Sequence, residues 1–299
     1  MSQSIPMTAD EMANLFRAHS RLKGAIAGNL ETWLTDPETL PRYLELIPAP
    51  AAGETKLLEL GCYQPSVGYY FKLGWKEVVG VFKDDGEGTQ EDFYSGENGV
   101  SARLIMADAE TQELPVPAGW ADVVVMMEVL EHLGVDPMHA LWEVNRVLRP
   151  GGRLILSTPN GSSWHCARRI TRGQAAWGGM EFTGFSTNRH NRLYDAMELP
   201  VILHQAGFQV MHCKSRDYGR GKLHWHDRIF RLFLGVVDCL GYVVSGRRRE
   251  REQFLVAQAT KQDSPKERFP RSLYLTAVEW PGITEQREKL LTQRSGGPS

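Results

Sequence analysis

The stretch Lys56 to Gly68, KLLELGCYQPSVG, decides the fold. Leu57, Leu58 and Leu60 form a short apolar run of the kind that a strand buried on both faces requires. Glu59 and Gly61 punctuate its end, and VGYYFK from Val67 to Lys72 resumes with helical spacing. A strand that turns through glycine into a helix is the repeating unit of an open α/β sheet, where ligands bind beyond the carboxyl ends of the strands. Glu59 offers a hydrogen-bond acceptor at that edge, and Gly61 lets backbone approach a ligand closely.

Downstream, the same unit recurs. EVVGV (Glu77 to Val81), RLIMAD (Arg103 to Asp108), the start of ADVVVMMEVLEHL (Ala121 to Leu133) and GGRLILSTPN (Gly151 to Asn160) read as strands two to five. Asp136 and Pro137 predict a capped helix carrying Ala140, Leu141, Val144, Val147 and Leu148 on one face, which Pro150, Gly151 and Gly152 end. Strand six is expected at Phe208 to Lys214 and strand seven at Gln253 to Ala259. Upstream, Thr8 or Asp10 caps a helix bearing Met12, Leu15, Phe16 and His19, and further helix is expected between Leu30 and Ile47. APAAGE (Ala49 to Glu54) is a linker. The expected organisation is an N-terminal helical cap over residues 1–50, a sheet domain over 51–260 and a polar tail over 261–299, within which RSLYLTAVEW docks.

Composition bounds the class. Among 299 residues, 42% are hydrophobic and 23% charged, as in a globular protein with ample core. The net charge of −2 hides an asymmetry: from Asp84 to Glu131 Arg103 is the only cation, whereas Lys214 to Arg251 is basic and includes Arg247, Arg248 and Arg249. The acidic half argues against a nucleic-acid surface; the basic run suits anionic lipid or a phosphorylated substrate. Cys62, Cys166, Cys213 and Cys239 lie far apart and form no CxxC pair, which suggests neither a zinc site nor a disulfide framework and fits a reducing cytoplasm. The N-terminus lacks the pattern of a secretory leader. Trp225 to Val244 is apolar at length, but Arg231 and Asp238 interrupt it, so a helix packed against the sheet is expected, with contact at the inner face of a membrane as the lesser alternative.

DVVVMMEVLEHL and VDPMHALWEVNRVLRPGGRLILSTPN together resemble the fourth strand, following helix and fifth strand of the class I S-adenosylmethionine-dependent methyltransferases, and the resemblance spans roughly residues 55 to 215. It implies a seven-stranded, mostly parallel, Rossmann-like sheet with strand seven antiparallel, and S-adenosyl-L-methionine as cofactor. On the matching positions it implies cofactor contacts at Glu59, Gly61, Cys62 and Tyr63 after strand one, Asp108 and Ala109 after strand three for adenine, and Glu128 after strand four. The chain departs from the family twice. Tyr63, Gln64 and Pro65 stand where further glycines are usual, and Phe82 occupies the usual place of the ribose-binding acid, leaving Asp84 or Asp85 to reach back.

Residues 161–194, with Trp164, His165, Trp177, Phe182, Phe185 and His190 among glycines and arginines, have the length and chemistry of a substrate loop. RHNRLYDAMEL from Arg189 is similar to a segment found in relatives associated with sugars or cell-surface polysaccharides, which implies a small-molecule or glycan acceptor, most directly a sugar hydroxyl. His190 is the first candidate base and Tyr194 a second. His132 reads as a structural residue, and no metal is expected because the histidines and acids show no ligand spacing such as HxxxH. A domain of this fold that has lost its cofactor and serves as a binding partner in envelope assembly is the alternative; oligomeric state is open.

Overall fold

The computed structural model describes residues 8, 10–11, 14, 38–62, 66–83, 91–95, 99–176, 190–218, 225–245, 250–267, 269–270 and 273. Among the described residues the strands are β1 (Lys56–Leu60), β2 (Glu77–Phe82), β3 (Glu91–Ser95), β4 (Ser101–Met106), β5 (Ala121–Met127), β6 (Leu148–Pro159), β7 (Phe208–Arg216) and β8 (Phe254–Lys261). The principal helices among them are α1 (Thr39–Leu46), α2 (Ser66–Leu73), α3 (Pro137–Val147), α4 (Trp164–Thr171), α5 (Glu198–Gln205) and α6 (Trp225–Ser245).

One sheet runs in the order β3-β4-β2-β1-β5-β6-β8-β7. Strands β4, β2, β1, β5 and β6 are mutually parallel, and β8 lies antiparallel between β6 and β7. All seven expected strands are therefore present, with the last one antiparallel. An eighth, β3, pairs antiparallel with the edge of β4. From β1 the chain proceeds outward through β2 and β4, then returns to the other side through β5 and β6. The reversal leaves a crevice at the carboxyl ends of β1 and β5, where ligands enter such sheets.

Alternation along the strands divides the core between two faces. Leu58 and Leu60 of β1, with Val124 and Met126 of β5, pack beneath α3 and α5; Leu57, Val123 and Val125 pack on the other face with Leu40 and Tyr43 of α1 and Val67 and Tyr70 of α2. The same period directs Glu59 toward α1 and α2. Asp122 joins the layers at their amino end by accepting from Thr55 N (2.8 Å), Lys56 N (2.9 Å) and Arg149 Nε (2.6 Å).

Several boundaries differ from expectation. Pro150 to Gly152 do not launch β6 but lie inside it, because Leu148 already pairs with Ala121 before the register shifts. Asp108 lies two residues beyond β4. The loop after β6 contains α4, whose start is capped by Ser163 accepting from Cys166 N at 3.2 Å. Thr8 does cap a helical turn, exchanging hydrogen bonds with Glu11, while Met12, Leu15, Phe16 and His19 fall outside the described residues. In the tail, Phe269 and Leu273 pack on the core. The larger correction concerns α6: it does not bury its apolar side against the sheet, since Leu232 is 72% exposed and Val243 78%.

Candidate functional site

The turn after β1 is built for close approach. Gly61 has φ +80°, and its N–H donates to Val81 O at 2.7 Å. A Cβ added there would sit 2.3 Å from Val129 Cγ2, so the turn and the segment after β5 touch through the missing side chain. Glu59 is fully buried, and the hydroxyls of Tyr43 and Ser66 both donate to its carboxylate. Burial pushes that carboxyl above its ordinary value against the pull of the hydroxyl donors. Glu59 thus ties α1 and the start of α2 to the turn. Cys62 is buried beside it, and burial raises its thiol well above the usual range, so it is not a nucleophile. Tyr63 and Asp84 lie outside the described residues.

Across the crevice, Glu128 follows β5 in the left-handed region at φ 54°, an uncommon and strained state for a non-glycine residue. Ser157 Oγ donates to its carboxylate at 2.8 Å, and Arg42 Nη1 of α1 lies 3.4 Å away. The Arg42 guanidinium is buried over the Phe254 ring at 4.8 Å, and among the described residues its Nε has no hydrogen-bond acceptor. A buried guanidinium with a spare donor fits an anionic end of a ligand. At the next strand end, Asp108 pairs with Lys83 Nζ at 2.9 Å and accepts from Glu110 N at 3.0 Å; Ala109 is buried, and its carbonyl meets His139 Nδ1 at 2.8 Å.

A second group lies just beyond Glu128. Glu131, on the 3₁₀ turn Leu130–His132, is wholly buried and accepts from Thr158 Oγ1 at 2.9 Å; burial, then the charge of Glu128, pushes its carboxyl well up. His132 and His190 stack edge-on with ring centroids 4.7 Å apart. Asn191 holds them together: its N–H donates to Glu131 O at 2.7 Å and its Nδ2 to His132 O at 2.6 Å. Burial, then the neighbouring His132, lowers His190 to about 4, so its ring is neutral at pH 7. One donor atom each from Glu131, His132 and His190 lie within 4.8 Å of one another, a set of the composition that holds a divalent cation. Ligand spacing in the sequence did not foresee this, because the fold brings His190 in from another segment.

Tyr194 is completely buried, pairs with Asn160 as a β-bridge, and has its hydroxyl pushed far above the ordinary value by burial, so it stays protonated. Two arginines of the 161–194 segment are committed to ion pairs. Arg168 pairs with Asp227 and Arg192 with Glu198, and Trp164 is buried beneath Arg231. Trp177, Phe182, Phe185 and Arg189 fall outside the described residues. Sequence reasoning missed Arg42, and it undervalued Glu131 and His132. The signal for Glu131 and His132 was three ionisable residues, Glu128, Glu131 and His132, in five positions directly after the apolar run Val123 to Met127.

Residues 33–213, more than half of the chain, match the protein family described as a methyltransferase domain. The chain belongs to that family. It is similar, at 37% identity over 126 residues, to a probable S-adenosylmethionine-dependent methyltransferase of Mycolicibacterium smegmatis, the match covering 40% of each chain. It is 29% identical over 149 residues to the 27-O-demethylrifamycin SV methyltransferase of Amycolatopsis mediterranei, covering 49% of this chain and 47% of the relative. The chain thus spans less than half the length of these two relatives. A solved S-adenosylmethionine-dependent methyltransferase from Mesorhizobium loti aligns at 16% identity and TM-score 0.43, over 74% of this chain and 96% of that one.

Proposed function

We propose that this methyltransferase-family chain moves a methyl group from S-adenosyl-L-methionine to a hydroxyl of a small-molecule or glycan acceptor. The observation that carries the reading is the convergence, at the carboxyl ends of β1 and β5, of the Gly61 turn, the strained Glu128 and the buried Arg42 with its spare donor. When bound, S-adenosyl-L-methionine supplies an activated methyl carbon whose sulfur departs as a neutral thioether. Arg42 offers its donors to the carboxylate of the methionine portion, Glu128 accepts from its ammonium, and Asp108, with Ala109 beside it, accepts from the adenine amine. Gly61 keeps the turn low enough for the ligand to lie across it. Tyr63, Asp84 and Cys62 remain proposed contacts from the same turn and the neighbouring strand.

His190 is proposed to take the acceptor's proton, because its ring lies against His132 just beyond Glu128 and burial, then the neighbouring His132, keeps it neutral at pH 7. Tyr194, buried and protonated, is a weaker candidate. A sugar hydroxyl is the acceptor we favour, on the resemblance of RHNRLYDAMEL alone; the rifamycin-modifying relative acts on another kind of small molecule.

The test is transfer of labelled methyl by wild type and His190→Ala. Loss of a general base lowers turnover about 10²-fold or more while leaving S-adenosylhomocysteine affinity nearly intact. Unchanged turnover removes His190 from the chemistry. Activity that survives a chelator keeps His190 as a free base, whereas loss reversed by Mg²⁺, Mn²⁺ or Zn²⁺ makes Glu131, His132 and His190 ligands. A protein that binds neither S-adenosylmethionine nor S-adenosylhomocysteine would instead support a scaffold role in envelope assembly.

A further inference from the structure

Helix α6 is turned inside out. Its contacts with the body are made by polar residues on one face: Asp227 pairs with Arg168, Arg231 Nη2 bonds Asp217 at 2.8 Å and stacks over Trp164 at 4.1 Å, and Asp238 takes two hydrogen bonds from Arg251, at 2.8 and 2.9 Å. Leu234, on the same face, is the buried apolar residue among those of the helix that are described. The opposite face carries Ile229, Leu232, Phe233, Val236, Leu240 and Val243 at helical spacing, each more than half exposed. Both acids of the helix are thereby turned inward and neutralised. Arg228 is the charged side chain left exposed among the described residues of the helix.

An apolar stripe four turns long facing water is not how an ordinary globular surface is made. Among the described residues no helix is long and apolar enough to cross a membrane. We propose that α6 lies flat on an anionic lipid surface, its apolar face in the headgroup region. Charge selects this occupant. In the sequence the helix is preceded by Arg220 and Lys222 and followed by Arg247, Arg248 and Arg249, so an apolar face without a free acid lies between two cationic ends. Pairing with a second copy would oppose cations to cations in either orientation of the two helices. Because α6 is held to Trp164 and Arg168 of α4, the helix that follows β6, docking brings the carboxyl edge of the sheet to the bilayer.

The full chain is mixed with vesicles of phosphatidylcholine alone or with roughly 30 mol % phosphatidylglycerol, and sedimented. Leu232→Asp/Val236→Asp/Leu240→Asp serves as the variant, since these exposed positions do not support the core, and its thermal unfolding and S-adenosylhomocysteine affinity should match wild type. The wild type should sediment with the anionic vesicles and far less with the neutral ones, and the variant's partitioning should fall roughly tenfold or more. In solution without vesicles the wild type should be monomeric. Absence of vesicle binding overturns the proposal, as does equal binding by the variant. A wild-type dimer that the variant dissolves, with no vesicle binding, would assign the face to a second copy. None of these failures touches the methyltransferase reading, because the altered positions lie away from the crevice.

Discussion

Replacing Gly61 with Ala tests how tightly the ligand turn is built. The residue sits at φ +80°, which costs an L-residue about 1–2 kcal/mol. The new methyl would also lie 2.3 Å from Val129 Cγ2, against the roughly 3.5–4.0 Å at which carbon atoms pack. Relief requires a shift of more than an ångström between the turn and the half-buried Val129, and overpacking of that kind costs about 1–3 kcal/mol. Together these give a loss of about 2–5 kcal/mol, a large part of the roughly 5–15 kcal/mol by which such domains are stable. Thermal unfolding should fall by about 4–20 °C, with S-adenosylhomocysteine affinity reduced because the turn has moved. Val129→Ala removes the opposing methyl, so the double variant should recover the steric part and leave the backbone part, giving a coupling of about 1–3 kcal/mol in a double-mutant cycle. Urea unfolding of the four proteins measures it. A Gly61→Ala chain as stable as wild type, or additive effects of the two changes, would refute this picture of the turn.

Two buried carboxylates give opposite pH dependences. Burial raises Asp122, but the donations from Thr55, Arg149 and Lys56 outweigh it and hold the group below its ordinary 3.8. Its stabilisation is therefore complete above 3.8 and is lost as pH falls through the lower folded value, so Asp122→Asn should cost about 1–2 kcal/mol at pH 7 and progressively less below pH 3.8, read from urea midpoints. Glu59 is raised above 4.5 by burial, so the unfolded chain gives up its proton first, and stability declines as pH rises from 4.5 through the folded value. Glu59→Gln should flatten that decline, and parallel wild-type and variant curves across the window would show that Glu59 does not cause it.

The strands were legible because the sheet is covered on both sides, so that β1, β2 and β5 read as short, predominantly apolar runs, with Glu59 and Asp122 as their internal acids. β3 was not, because Glu91–Ser95 is a short polar edge strand whose pairing is decided by its neighbour β4 and not by its own pattern. The start of β6 was misread since Pro150, Gly151 and Gly152 look like punctuation; Leu148 pairs across them because a register shift accommodates the extra residues. For α6, periodicity announces an amphipathic helix but not which side faces the body, and here ion pairs with Arg168, Asp217 and Arg251 chose the polar side. At the site, strand-end residues such as Asp108 and Glu128 could be located by their order in the chain. Arg42 and the approach of His190 to His132 could not, because they depend on how α1 and the segment before α5 fold back over the edge.

Calorimetric titration with S-adenosylhomocysteine tests the central claim most directly. Wild type should show a single site, with affinity about 10- to 100-fold weaker in Asp108→Ala, the loss expected when a charged acceptor is removed from the adenine amine. No heat of binding with wild type, in a protein whose melting shows it to be folded, would contradict the claim that the carboxyl edge of β1 and β5 is a cofactor site.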